Sequence, residues 1–107
     1  VGSADRPARE VATAEIEVRG ATIARGWRFE VTVSDESAST RHEVTLDGAD
    51  YERLTDGRAP PERLVRESFA FLLEREPKEA ILGRFDLSVI GQYFPDYEQE
   101  LKSRLAG

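Results

Sequence analysis

The chain has no cysteine, no methionine and a single histidine. The missing cysteine excludes disulfides, thiolate nucleophiles and thiolate metal sites. With His42 as the one imidazole, a zinc site built from nitrogen and sulfur ligands is excluded as well. Neither G-x-x-x-x-G-K nor G-x-G-x-x-G occurs, so no phosphate loop is present. No apolar run approaches the roughly 20 residues of a membrane span, and no signal-peptide core opens the chain. These absences lead us to expect a cytoplasmic protein with no membrane association and no cofactor. An excess of positive charge is also lacking. The formal net charge is −6, and nucleic acids are bound largely by positive surface that releases counterions. Nucleic-acid binding is therefore disfavoured.

What is present suits a folded domain. The 107 residues are 39% hydrophobic and 34% charged, and a chain of this length buries roughly 60–70% of its unfolded surface without staples. We expect a disordered terminus over residues 1–10 and one α+β domain over 11–107. Arg outnumbers Lys by 13 to 2, a bias typical of a GC-rich bacterial genome.

Three segments alternate with period two, the mark of half-buried strands. Over 13–19, Ala14, Ile16 and Val18 oppose Glu15, Glu17 and Arg19. Over 27–34, Trp27, Phe29, Val31 and Val33 oppose Arg28, Glu30 and Thr32. Over 39–46, His42, Val44 and Leu46 share a face. Gly20 to Gly26 reads as a connection. An antiparallel three-stranded sheet with one wet face follows. Its register is open. Pairing Ser34 with Ser39 puts Glu30 opposite Glu43, with Glu15 available to complete an acidic row. A shift of two residues puts Glu30 opposite Arg41 and Arg28 opposite Glu43, which favours opposite charges. That shift needs a tight Asp35-Glu36 turn without Gly or Asn.

Helical signals fill the second half. Asp47 is a cap for a short helix containing Tyr51 and Leu54, with Asp50 as a capping-box-like partner. Pro60-Pro61 starts a longer helix over about 61–76, whose stripe of Leu64, Val65, Ser68, Phe69 and Leu72 would cover the sheet. Pro77 stops it. Asp86 would cap a helix over about 87–93, although Phe85, Leu87 and Val89 also alternate as a strand would. After Pro95, Tyr97, Leu101 and Leu105 form the stripe of a last helix over about 96–105.

The run "PPERLVRESFAFLLEREPKEAILGRFDLSVIGQYFPDYE", preceded by "TRHEVTL", resembles a group of small bacterial α+β proteins of unassigned function, over about Trp27–Leu101. The resemblance implies a compact α+β fold and carries no activity. The order of strands then helix is also similar, at fold level alone, to antitoxin-like and double-stranded-RNA-binding-like sandwiches.

For function, the inventory points away from catalysis and towards an interaction or regulatory module that binds a protein partner. The residues put forward for that contact are Tyr93, Tyr97, His42 and Arg41. Tyrosine packs its ring while offering a polar tip, and free sheet edges offer a second docking mode. The alternative is a small-molecule enzyme or ligand sensor with a pocket between sheet and helices. Nucleic-acid binding stands third.

Overall fold

The structure, a computed structural model, describes residues 14–106. The expected disordered segment 1–10 lies outside those residues. The elements run β1 (Glu15–Ile23), β2 (Gly26–Ser34), β3 (Ser39–Asp47), α1 (Gly48–Thr55), α2 (Pro61–Leu73), β4 (Arg84–Asp86), α3 (Val89–Tyr93) and α4 (Tyr97–Ala106), with a 3₁₀ turn at Lys78–Ala80. The fold is α+β. The sheet, however, has four strands in the order β1-β2-β3-β4, and β4 runs parallel to β3. The expectation of three antiparallel strands is corrected by that fourth strand. At three residues it is too short to show a period, and its pairing is with a distant part of the chain.

The first hairpin is longer than its sequence pattern suggests. Gly20 to Gly26 is not a loose connection, because β1 continues to Ile23 and pairs with Gly26 across a two-residue turn. Small residues hide the continuation. A side chain at Gly20 would overlap the Phe29 ring, and one at Gly26 would strike the Leu46 carbonyl. Glycine is needed at both places for close approach rather than for a turn.

The register resolves in favour of Ser34 opposite Ser39, with Glu30 opposite Glu43. The loop between β2 and β3 explains the outcome. One Asp35 carboxylate oxygen accepts from the Ser37 amide, the Ser37 hydroxyl and the Ala38 amide, and the Asp35 amide donates to the Ala38 carbonyl. This Asx-type turn satisfies four donors locally. The gain from shifted ion pairs on an exposed face is only about 0.2–1 kcal/mol each. Glu15 does not complete an acidic row, because it lies opposite Ser34 while Arg19 lies opposite Glu30.

One face of the sheet is covered. Phe29, Val31, Val33, Val44 and Leu46 meet Leu64, Val65, Phe69, Phe71 and Leu72 of α2, all buried. Full burial of each large apolar side chain contributes about 1.5–3 kcal/mol. Helix α2 packs against β1 and α4. It ends at Leu73, three residues before its expected limit, and Glu74–Glu76 are held by bonds back to Ala70, Phe71 and Leu72 carbonyls. Asp47 caps α1 through the Ala49 amide, as expected, but Asp50 pairs with Arg53 rather than reaching back to close a capping box.

Over 85–90 the chain divides: the strand stops short of Leu87 and Val89, and the helix begins two residues later than expected. Arg84–Asp86 is a strand and Val89–Tyr93 a helix. The expected Asp86 cap sits in the strand instead. Its carboxylate accepts from Thr45 Oγ1 on β3 and from the Ser88 amide and hydroxyl, so it binds strand to strand and strand to helix. No helix among the described residues is long and apolar enough to cross a membrane.

Candidate functional site

The segment after α2 builds the most distinctive apolar surface. Pro77 ends the helical run, the 3₁₀ turn follows, and Ile81 drops into the core while Leu82 projects outward. Helix α3 then brings Val89, Ile90 and Tyr93 alongside. Between them lies a groove of about 220 Å³, lined by Leu72, Ile81, Phe85, Val89, Ile90 and Phe94. At its rim stand Leu82, 51% exposed, and Tyr93, 68% exposed. The charged residue on its wall is Glu76. Large apolar side chains at that exposure are costly to hydrate.

The four residues put forward from the sequence do not meet. Tyr93 is at the groove. Tyr97 is 1% exposed, packed edge-on against Phe71, with its hydroxyl hydrogen-bonded to Ser68 Oγ at 2.7 Å. Burial pushes its phenol well above the ordinary tyrosine range. Arg41 is exposed on the uncovered face of the sheet, opposite Thr32. His42, its neighbour, points the other way and is 3% exposed, tilted against Phe69.

His42 has two hydrogen-bond partners. Its Nδ1 lies 2.7 Å from the Leu82 carbonyl, and its Nε2 lies 2.8 Å from Thr40 Oγ1. A carbonyl only accepts, so Nδ1 carries the proton; in the neutral ring Nε2 then accepts from Thr40. This buried ring therefore fixes the backbone of Leu82, whose side chain forms the groove rim. The contact spans 40 residues of sequence. Strand parity placed His42 on the inward face correctly, but nothing in the sequence identifies Leu82 as its acceptor.

Leu82 was missed for the same reason. A lone leucine before Gly83 has no period and no motif. Among the described residues, no group of three or more His, Asp or Glu is placed to hold a metal ion. The paired carboxylates at the middle of the open face are flanked by arginines instead: the row across the four strands runs Arg19–Glu30–Glu43–Arg84. No family model, no curated protein and no solved structure matches this chain.

Proposed function

We propose that the protein is a non-catalytic interaction module whose apolar groove takes a short segment of a partner protein, one bearing large apolar side chains beside a lysine or arginine. The observation that carries this reading is the pairing of exposed Leu82 and Tyr93 across a groove of about 220 Å³. That volume exceeds the ~150 Å³ that accommodates a benzene-sized group, so a large apolar side chain fits. Glu76 on the wall and the net charge of −6 favour a basic neighbour in the partner. The layer between sheet and helices is filled by Phe29, Val31, Phe69 and Phe71, which favours docking at the groove over a ligand pocket inside that layer.

The test is selection from a random peptide library displayed against the purified protein. Peptides with paired apolar residues next to Lys or Arg are expected to emerge. Their amide shift changes should map to Leu82, Val89 and Tyr93. Tyr93→Ala should weaken them about tenfold, since truncating an exposed aromatic anchor costs over 1 kcal/mol, without changing the thermal midpoint. Selected peptides that bind Tyr93→Ala and Leu82→Ser equally well would overturn the reading. So would light scattering showing a dimer that Leu82→Ser dissociates, because the occupant would then be a second copy of the chain.

A further inference from the structure

The uncovered face of the sheet holds a second feature, separate from the groove. Strand parity sends Trp27, Phe29 and Phe85 to the core, leaving this face to short polar residues, arginines and glutamates. Directly opposite residues on adjacent strands stand about 5 Å apart, so the register brings Arg19, Glu30, Glu43 and Arg84 into one transverse row. Arg28 precedes Glu30 by two residues on β2, and Arg41 precedes Glu43 by two on β3, so both flank the row on the same face. The face is not flat there. An open depression of about 510 Å³ lies over the row, lined by the four arginines and both glutamates, with Gly20, Ala21 and Gly83 among the other lining residues.

Four arginines against two glutamates make this depression locally positive in a chain of net charge −6. The arginines are poorly committed. Glu43 holds Arg28 at 3.8 Å and Arg84 at 3.6 Å, both beyond hydrogen-bond range. Among the described residues, Arg19 and Arg41 have no carboxylate partner. Guanidinium forks recognise phosphate and carboxylate in bidentate fashion. At the centre, Glu30 and Glu43 lie directly opposite each other on adjacent strands, and ionised carboxylates only accept hydrogen bonds. Phe29 and His42 border the depression but are only 1% and 3% exposed, so neither offers a ring face for the nucleobase stacking on which single-strand binding depends.

We propose that this depression binds a small molecule with anionic groups at its ends and hydroxyl donors between them, the chemistry of a phosphorylated sugar or polyol. The end groups go to the arginines, and the hydroxyls donate to Glu30 and Glu43. The class makes a specific demand on the glutamates. They help a ligand that brings donors and hinder a bare anion.

Two probes separate the cases: fructose 1,6-bisphosphate and inorganic pyrophosphate, each titrated at low ionic strength and followed by amide and arginine side-chain shifts. The sugar bisphosphate is expected to bind more tightly and to move Arg19, Glu30, Glu43 and Arg84. Arg19→Gln and Arg41→Gln should each weaken it severalfold or more. Glu30→Gln should weaken the sugar bisphosphate and tighten pyrophosphate. All three positions are exposed, so unchanged thermal midpoints confirm folding. Equal affinity for the two probes, shifts spread over the whole surface, or binding that survives Arg19→Gln and Arg41→Gln would each overturn the proposal.

Discussion

Lys78 is the clearest case of a single residue closing the structure. It is 5% exposed, and its ammonium donates to Asp35 Oδ2 at 2.6 Å and meets Glu79 Oε2 at 2.8 Å. The contact ties the β2–β3 loop to the 3₁₀ turn after α2. The hydrogen bond from Lys78, joined by those from Ser37 and Ala38, holds the Asp35 carboxyl well below the usual carboxylate range. Asp35 and then Glu79 raise Lys78 above the ordinary lysine value. A depressed acid stabilises the fold fully above its unfolded pKa and loses that contribution as pH falls towards the folded one. A raised base acts fully below its unfolded pKa and loses its share as pH rises through the folded one. The clasp is therefore intact across the neutral range and weakens at both extremes. Urea midpoints of the wild type should fall more steeply than those of Lys78→Met as pH drops below about 4. Parallel curves for the two proteins would show that the clasp contributes nothing. Tyr97 tests the same scale without charge. Tyr97→Phe leaves Ser68 Oγ its bond to the Leu64 carbonyl but removes the phenol partner, and should cost about 0.5–1.5 kcal/mol in denaturant unfolding.

Among the elements, the junction of β4 with α3 depends most on one side chain. Burial alone would raise the Asp86 carboxyl, yet hydrogen bonds from Ser88 and Thr45 bring it below the ordinary value. Asp86→Ala should cost about 1–3 kcal/mol, because Thr45 and Ser88 lose a charged acceptor together. Asp86→Asn, which keeps one acceptor oxygen, should recover part of that in the same unfolding experiment. Gly26→Ala should be more damaging than either, since the new carbon meets the Leu46 backbone rather than a movable side chain. These two sites also mark what the sequence discloses. β2 and α2 were legible because their periods are long and uninterrupted, and the inward faces of Phe29, Val31, Phe69 and Leu72 followed from spacing alone. Asp47 was legible as a cap because capping is local. β4 was not, because three residues carry no period and their partner is 41 positions away at Thr45. The full length of β1 was obscured by Gly20, whose role is to admit the Phe29 ring. Of the candidate site, Tyr93 was visible as an aromatic in a short helix. Its separation from Tyr97, by burial, depended on how Pro95 and Asp96 turn the chain.

At the scale of the whole molecule, the groove and the open sheet face lie in different layers but share one short segment. Leu82 forms the groove rim, while Gly83 and Arg84 line the depression. Two bonds fix this segment to β3: His42 Nδ1 to the Leu82 carbonyl at 2.7 Å, and the Glu43 amide to the Gly83 carbonyl at 2.8 Å. One strand thus positions both surfaces, by adjacent residues that face opposite ways. His42→Ala removes the first bond and leaves the Leu82 carbonyl without its partner, at a cost of about 1–3 kcal/mol. The second bond belongs to the β3–β4 ladder and should persist. The expected result is therefore asymmetric. Amide exchange should accelerate at Leu82 and Gly83, and groove-binding peptides should weaken, although His42 itself is buried beneath the rim and lines no part of the groove. Shifts at Glu43 and Arg84 should stay close to those of the wild type, because the backbone that carries them is still paired. If exchange accelerates equally along Arg84–Asp86, the histidine supports the whole fourth strand, and the groove rim is not positioned separately from the sheet.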